Sequence, residues 1–316
     1  MANLGELPAV AARGMPGGPS HHRLDMSGVL AGPGRCNRPL GLCRLVGAMA
    51  TAVRMAAFAM LTMALPAAPA GAQDDIEVDL ELILAVDISL SMDVDEQRLQ
   101  RDGHVAAIRH PHVVAAISDG LLGRIALTYV EWAGTGSERV VVPWSVIDGQ
   151  ETADVFADRL AAVPLRRAHR TSISGVLAFA GGLFEDNGLH GLRRVIDVSG
   201  DGANNEGVPV PGARDRLVDR GLVINGLAIM IKRGDFGGRF DLEALDEYFE
   251  DCVIGGPGAF VIRITDKDQF ATAIRRKMIL EIAQAEPRIT PTAAREPVDC
   301  LIGEKQWQRW QEMREW

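Results

Sequence analysis

Asp87, Ser89 and Ser91 place oxygen-bearing side chains at alternate positions directly after an apolar run, residues 82–86. An uninterrupted apolar run of this length predicts a strand that is buried on both faces, as in a parallel sheet. In an open α/β sheet, ligands bind beyond the carboxyl ends of such strands. Carboxylate and hydroxyl oxygens are the ligands that hard cations such as Mg²⁺ take. The spacing therefore predicts a divalent-cation site at the end of this strand.

Two later segments can supply further oxygen ligands. Thr171 directly precedes a predicted helix at 172–184, and Asp201 follows a predicted strand at 192–199. Loops at the carboxyl ends of parallel strands meet at one edge of the sheet, so we expect both residues near Asp87. Taken singly, the hydroxyl groups fit helix capping, and Asp201 fits a turn between two glycines. The occurrence of all three segments in one α/β pattern favours the metal site.

Strand and helix patterns alternate along the chain from residue 76 to residue 284. Strands are predicted at 76–87, 123–131, 140–142, 192–199, 222–232 and 259–264, and helices at 93–110, 152–163, 172–184, 210–220, 242–249 and 267–283. This alternation predicts one α/β domain with a doubly wound, mostly parallel sheet and helices on both faces. The connection at 132–138 is too short for a parallel crossover, so the second and third strands are expected to be antiparallel.

The first 72 residues differ in composition from the rest. Residues 1–48 are rich in Gly, Pro and Arg, whereas 49–72 combine a basic start, an apolar run of 11 residues and small residues before Gln73. This second pattern is typical of a secretory signal, and its apolar run is too short to span a membrane, which takes roughly 20 residues. We expect a non-structured leader, translation that starts at Met49 or Met55, and cleavage near Gln73. The mature protein would be periplasmic or secreted, without a stable membrane span.

Acidic residues dominate the charge balance. The full chain has a formal net charge of −9, and removal of residues 1–72 leaves 27 Lys and Arg against 40 Asp and Glu. Affinity for nucleic acid depends mainly on basic contacts with phosphates, so this balance argues against a nucleic-acid partner. Two cysteines remain after processing, Cys252 and Cys300. They either pair in an oxidising compartment or are two free thiols, and the sequence leaves both alternatives open.

A tail at 285–316 follows the predicted domain. It contains three prolines and then apolar residues at every third position, among them Trp307, Trp310 and Trp316. A three-residue repeat drifts around a helix instead of forming one stripe. We expect the tail to pack on the domain. Contact with a partner or a membrane interface is the alternative, because tryptophan favours interfaces.

The order of these motifs resembles that of a known family. Asp-x-Ser-x-Ser at 87–91, a Thr about eighty residues later and Gly-Asp-Gly at 200–202 are similar to the metal-ion-dependent adhesion site of von Willebrand factor type A domains. The resemblance extends over about 78–283. It implies a six-stranded sheet in the order 3-2-1-4-5-6, with the antiparallel strand at one edge.

This resemblance also implies roles for the five residues that match the motif. Ser89, Ser91 and Thr171 would contact Mg²⁺ directly or nearly so, with Mn²⁺ or Ca²⁺ as alternative ions. Asp87 and Asp201 would act largely through water, and an acidic side chain of a partner protein would complete the shell. Five further polar residues are expected at the rim and in solvent: Asp93, Asp95, Asn204, Asn205 and Glu206.

Three stretches are similar to a more particular family. They resemble the bacterial exported family called domain of unknown function 1194, and they lie at 129–134, 195–205 and 252–260. This second resemblance sharpens the expected fold and site but implies no established partner or activity.

Three functions are compatible with a cation at this site. A protein-binding module is favoured over an enzyme, because hydroxyl ligands are abundant and no general base or nucleophile is placed convincingly beside them. The alternatives are a metal-dependent hydrolase or phosphoryl-transfer enzyme, and a structural module whose ion fixes three loops. His110 and His112 are expected in a surface turn, and Asp197 is expected to pair with Arg193 or another base.

Overall fold

The computed structural model of the protein describes residues 75–231, 242–283 and 295–314. The predicted leader and export signal therefore lie outside the described residues. In the described parts of the chain, no helix is both long enough and apolar enough to cross a membrane.

Strands and helices alternate through the described residues. The strands are β1 (Ile76–Val78), β2 (Leu80–Asp87), β3 (Ile125–Trp132), β4 (Arg139–Ile147), β5 (Leu189–Gly191), β6 (Arg194–Gly200), β7 (Val223–Ile229) and β8 (Val261–Ile264). The helices are α1 (Val94–Ile108), α2 (Pro111–Ser118), α3 (Gln150–Ala161), α4 (Ile173–Gly182), α5 (Val210–Val218), α6 (Leu245–Tyr248), α7 (Phe270–Ile282) and α8 (Ile302–Arg314). A π-helical turn, Phe249–Val253, continues α6, and a 3₁₀ turn, Lys267–Gln269, precedes α7.

Six of the described strands form the central sheet, in the order β4-β3-β2-β6-β7-β8. All neighbouring strands are parallel except β3 and β4. Numbered by themselves in chain order, these strands follow the order 3-2-1-4-5-6, which confirms the expected doubly wound α/β fold. β2 lies between β3 and β6, and all eight of its residues are buried.

Two hydrophobic clusters cover the two faces of this sheet. One includes residues of α1, α2, α3 and α7, and the other includes residues of α4, α5 and α6. Successive residues of β2 belong to alternate clusters: Leu82 and Leu84 to the first, Ile83 and Ala85 to the second. Side chains of a strand point to opposite faces in turn, so a strand between two helical layers must be apolar throughout. This packing fixes the position of the strand that leads to the predicted site.

The strand predicted at 76–87 is divided in the structure. It is interrupted at Asp79, and β1 pairs instead with β5 in a separate two-stranded parallel sheet. The Asp79 carboxylate accepts hydrogen bonds from the backbone amides of Leu122 and Arg124, at 2.9 and 3.3 Å. These side-chain contacts to a loop end the first strand and allow β2 to enter the central sheet.

The helix predicted at 93–110 corresponds to α1, which ends at Ile108, whereas the next helix, α2, begins at Pro111 and was not predicted. Proline lacks a backbone N–H and disfavours helical backbone at the preceding residue, so His110 is extended, with ψ of 130°. Its Nδ1 atom accepts a hydrogen bond from the backbone amide of His112 at 3.1 Å. The expected surface turn is therefore an exposed helix N-terminus that His110 caps.

A buried ion cluster joins β6 to α7. Asp197 lies 2.9 Å from Nζ of Lys277, which also pairs with Glu281 one helical turn later. Lys277 is thus the base that Asp197 was expected to need, and Arg193 instead donates to the backbone carbonyl of Glu281. Burial, and next the nearby Asp197 carboxylate, raise the pKa of Glu281 to about 7.

Candidate metal centre

Asp87 ends β2, and its side chain is completely buried. Its Oδ1 atom accepts a hydrogen bond from the backbone amide of Ser89 at 2.6 Å, whereas Oδ2 is buried without a hydrogen-bond partner among the described residues. Burial, and next the nearby Asp201 carboxylate, raise the pKa of Asp87 well above its usual range, although hydrogen bonds from the backbone amides of Ser89 and Asp201 oppose this. An unpartnered buried carboxylate oxygen is unfavourable, so this position favours a proton or a cation.

A chain of short hydrogen bonds connects the first motif to the third. The Ser91 hydroxyl donates to Oδ1 of Asp201 at 2.6 Å, and the hydroxyl oxygens of Ser89 and Ser91 are 2.5 Å apart. Because the only hydroxyl proton of Ser91 points to Asp201, Ser89 is the donor in the second contact. Ser91 and Asp201 are 110 positions apart in the sequence, and they meet because β2 and β6 are neighbours in the sheet.

Thr171 joins these residues from the loop before α4. Its backbone amide donates to Oδ1 of Asn205 at 3.0 Å, and its carbonyl accepts from the amide of Asn205 at 2.9 Å. These two bonds fix the loop before α4 against the loop after β6. Thr171 lines the same cavity as Ser89, Ser91 and Asp201, and we call these four residues the floor of the cavity. With Asp87 buried beside them, all five predicted residues lie together.

The inner face of α1 holds the first motif in place with polar side chains. The side-chain amide of Gln97 donates to the carbonyl of Ser89 at 3.4 Å, and that of Gln100 donates to the carbonyl of Asp87 at 3.3 Å. Both glutamines are buried, whereas Leu99 on the same helix is exposed. Neither glutamine was predicted as part of the site, although their three-residue spacing directly after the motif places both on one helix face.

Asn204 was expected at the solvated rim, and this expectation is wrong. Its side chain is fully buried. The Oδ1 atom accepts a hydrogen bond from the amide of Ser174 at 3.1 Å, and Nδ2 donates to Oε1 of Glu304 at 2.7 Å. An amide side chain offers both a donor and an acceptor, so Asn204 can connect α4 to the C-terminal helix α8.

The other four expected rim residues divide into two groups. Asn205 and Glu206 are partly buried and connect loops, since Oε2 of Glu206 accepts a hydrogen bond from the amide of Thr135 at 2.9 Å. Asp93 and Asp95 are exposed, as expected, at the start of α1. The loop after β6 is therefore a structural connection between elements as well as the source of Asp201.

The floor belongs to a cavity of about 890 Å³. His169 and Arg170 line it from the loop before α4, and Trp307, Trp310 and Arg314 line it from α8. The guanidinium of Arg170 lies over the ring of Trp307, 3.5 Å from the ring centroid. The C-terminal helix, which the sequence placed only somewhere on the domain, therefore forms a wall of the candidate site.

The tail packs on the domain, as expected, over residues 295–314. Cys252 and Cys300 form a disulfide two residues before α8 begins, so the cysteines are paired. A Cβ atom on Gly303 would lie 2.1 Å from the carbonyl oxygen of Asn204. Only glycine allows the helix to approach the loop after β6 so closely.

The donor set fits a hard cation by its chemistry. Two carboxylates and three hydroxyls offer oxygen atoms, the ligands that Mg²⁺ takes while it keeps several waters. Among the described residues, no group of three or more His, Cys, Asp or Glu side chains could hold a metal ion, and the predicted set contains only two acids. The observation that favours a cation is the unpartnered Oδ2 atom of Asp87. Metal binding itself stays a prediction.

Solved structures of several proteins are similar to part of this chain. Proximal thread matrix protein 1 from the mussel byssus has 13% identity and a TM-score of 0.47, over 66% of this chain and 49% of that chain. A structure of the same protein with a zinc-occupied MIDAS motif has 13% identity and a TM-score of 0.46, with the same coverage. A von Willebrand factor type A protein from Catenulispora acidiphila has 16% identity and a TM-score of 0.45, over 65% of this chain and 43% of that chain. The chain thus spans about half the length of the mussel protein.

A comparison with curated proteins finds no match. Residues 77–286 match the model of the family described as "Protein of unknown function (DUF1194)". This match covers well over half of the chain and includes every strand of the central sheet and all five residues of the candidate centre. The protein therefore belongs to the DUF1194 family, as the three short stretches of sequence had indicated.

Proposed function

We propose that the protein is an exported module that binds a partner protein through a divalent cation. Five residues would hold this cation: Asp87, Ser89, Ser91, Thr171 and Asp201. The observation that carries the proposal is the buried Oδ2 atom of Asp87, which has no hydrogen-bond partner among the described residues and lies near a second carboxylate. A bound cation would relieve the repulsion between the two carboxylates.

The hydroxyl groups of Ser89, Ser91 and Thr171 would contact the cation, and the two carboxylates would act largely through water. Hydroxyl ligands are neutral, so the cation would keep most of its positive charge. When bound, it supplies an electrophilic centre for an acidic side chain of the partner. Mg²⁺ is the expected ion, with Mn²⁺ or Ca²⁺ as alternatives.

Export is part of this proposal and rests on the signal-like pattern at 49–72. The Cys252–Cys300 disulfide supports it, because disulfides persist in oxidising compartments such as the periplasm. N-terminal sequencing of the protein from a periplasmic extract should begin near Gln73. A mature protein that keeps residues 1–48 would contradict both the export signal and the proposed start site.

Titration calorimetry with Mg²⁺ and Mn²⁺ tests the cation site. Wild type is expected to bind the ion, and Asp201→Ala is expected to lose about tenfold or more in affinity, as when outer-shell groups of metal sites are removed. Asp95→Ala is the matched control, because Asp95 is an exposed acid near the same motif that pairs with Arg98. Equal affinities of wild type and Asp201→Ala would remove Asp201 from the site.

Partner capture tests whether the cation forms the bridge. The immobilised protein is mixed with periplasmic extract in Mg²⁺ or in EDTA, and capture is expected only in Mg²⁺ and not with Asp201→Ala. Partners that are retained equally in EDTA would overturn the metal-bridged mechanism.

A metal-dependent hydrolase or phosphoryl-transfer enzyme is the second candidate. His169 lines the cavity, and an imidazole beside a metal-bound water is a suitable general base. Hydrolysis of p-nitrophenyl phosphate in Mg²⁺ distinguishes the two candidates. We expect no rate above that of buffer, and a rate that His169→Ala abolishes would favour the enzyme instead.

A further inference from the structure

The cavity above the floor is lined by positively charged side chains that take no part in holding a cation. Arg170 and Arg314 line it, although the chain as a whole has a formal net charge of −9. Basic groups around one cavity of an acidic protein favour an anionic ligand. These side chains therefore indicate that the ligand has negative charge beyond the single carboxylate of the proposed function.

Arg170 combines a strained backbone with an unpaired donor. Its φ of 73° is in the left-handed region, which is strained for a residue other than glycine. Its Nη1 atom is buried and has no hydrogen-bond partner among the described residues. A buried donor without an acceptor is unfavourable, and strain of this kind is concentrated at binding sites. Both features occur at the residue directly before Thr171 of the floor.

Trp307 fixes the orientation of the Arg170 guanidinium, which lies 3.5 Å from the ring centroid. Stacking occupies the flat face of a guanidinium and leaves the N–H groups on its edge for an acceptor. Arg314 and Trp310 form a second stack of this kind near the end of α8, at 4.6 Å. A carboxylate has two oxygens that match the guanidinium fork, so it is a group that such an edge binds well.

The wall formed by α8 is fixed to the domain at the start of the helix. In the segment that leads into α8, Cys300 forms the disulfide with Cys252, and Arg295 pairs with Asp251 at 2.6 Å. Within the helix, Glu304 accepts the hydrogen bond from the buried Asn204 side chain described above. These contacts position the indoles before a ligand arrives, which lowers the entropy cost of binding.

We infer that the ligand is a protein segment with two neighbouring acidic side chains, one bound at the cation and one bound by Arg170. This inference rests on the proposed cation site. A single carboxylate would satisfy the cation but would leave the buried Nη1 atom of Arg170 unpaired. The cavity of about 890 Å³ is as large as sites that hold drug-sized ligands, so it has room for a short peptide. A free small dicarboxylate would fill only a small part of it.

Titration calorimetry with two peptides in saturating Mg²⁺ tests this inference. The probes are acetyl-Gly-Asp-Asp-Gly-amide and acetyl-Gly-Asp-Asn-Gly-amide, which differ only in the second acid. Wild type is expected to prefer the diacid by about tenfold, the effect of one charge-assisted hydrogen bond. Arg170→Met should remove this preference and keep its Mg²⁺ affinity within about twofold, because the guanidinium is not a ligand of the cation. Arg166→Met, an exposed arginine in the same loop, is the matched control and should keep the preference.

The comparison of two peptides within one variant separates recognition from folding, because a partly unfolded variant binds both peptides less. Trp307→Leu provides a second test and should reduce the diacid preference, since the guanidinium loses its support. A diacid preference that survives in Arg170→Met, or that wild type lacks, would overturn the inference while leaving the cation site intact. Succinate that binds as tightly as the diacid peptide would overturn the assignment to a protein segment. Failure of wild type to bind Mg²⁺ would instead refute the proposed function.

Discussion

Asp87 and Asp197 lie in neighbouring strands of one sheet, and both are buried, but their charges are balanced in different ways. Asp197 is 2.9 Å from Nζ of Lys277, which also pairs with Glu281, so the protein supplies its own cation there. Asp87 has an oxygen without a hydrogen-bond partner among the described residues, and its nearby charged group is a second carboxylate, Asp201. Asp197 lies under helix α7, which supplies Lys277, whereas Asp87 is the last residue of its strand and lies beside a cavity.

This difference separates stability from function. A lysine of the chain balances Asp197 whenever the protein is folded. An ion from solution balances Asp87 only as far as its concentration and affinity allow, so stability at that end of the sheet is coupled to ligand binding. Three experiments test this difference between Asp87 and Asp197.

Removal of the internal cation should have the largest effect. Lys277→Met leaves Asp197 and Glu281 buried without a positive charge, which typically costs about 3–5 kcal/mol of unfolding free energy. Urea denaturation measures this loss. Arg276→Met, at an exposed neighbouring position of α7, is the matched control and should stay within about 0.5 kcal/mol of wild type. A loss for Lys277→Met no larger than that of the control would show that the cluster does not depend on its lysine.

The shifted pKa values of His104 and Glu281 predict two opposite pH dependences of the free energy of unfolding. Each is expected to be somewhat smaller than the effect of Lys277→Met. Burial lowers the pKa of His104 to about 4, so the unfolded chain takes up this proton first, and the contribution to stability is lost as the pH falls from about 6.5 to 4. The raised pKa of Glu281, about 7, means that the folded chain keeps this proton, and the contribution is lost as the pH rises from about 4.5 to 7. Each shift corresponds to roughly 3 kcal/mol.

These two contributions offset each other in wild type, so single variants should separate them. Relative to wild type, His104→Gln should become less stable as the pH rises from 4.5 to 6.5, and Glu281→Gln should become more stable over the same range. Urea denaturation at four or five pH values gives both profiles. Parallel profiles for the variants and wild type would contradict the assigned pKa shifts.

Neutralisation of Asp87 should have the smallest effect on the free energy of unfolding, and it should stabilise the protein, whereas Lys277→Met destabilises it. In EDTA at neutral pH, Asp87→Asn should be about 1–2 kcal/mol more stable than wild type, because it removes one of two neighbouring buried carboxylates that lack a cation. Added Mg²⁺ should then raise the melting temperature of wild type and not that of Asp87→Asn. A thermal shift assay measures both effects, and an equal response of the two proteins to Mg²⁺ would place the ion elsewhere.

Much of the fold could be predicted because its signals are local. The apolar run before Asp87 marks a strand with a helical layer on each side, and the short connection before β4 marks the antiparallel edge. The strand order came from the resemblance to von Willebrand A domains, and the structure confirms it. The division of the first predicted strand could not be predicted, since Asp79 leaves the strand for contacts with amides more than forty residues away.

Asp87 and Asp201 could be placed at one edge of the parallel sheet from the sequence alone, because each follows a buried strand. Thr171 lies between two helices, and the resemblance to von Willebrand A domains was needed to add it. The contacts that hold these residues, and the residues that line the cavity around them, became known only from the folded structure. Asn204 is buried rather than solvated, and α8 supplies Trp307 to the cavity wall. The physical reason is that hydrogen bonds of buried polar groups are satisfied by partners far away in the sequence, which no local pattern of hydrophobicity records.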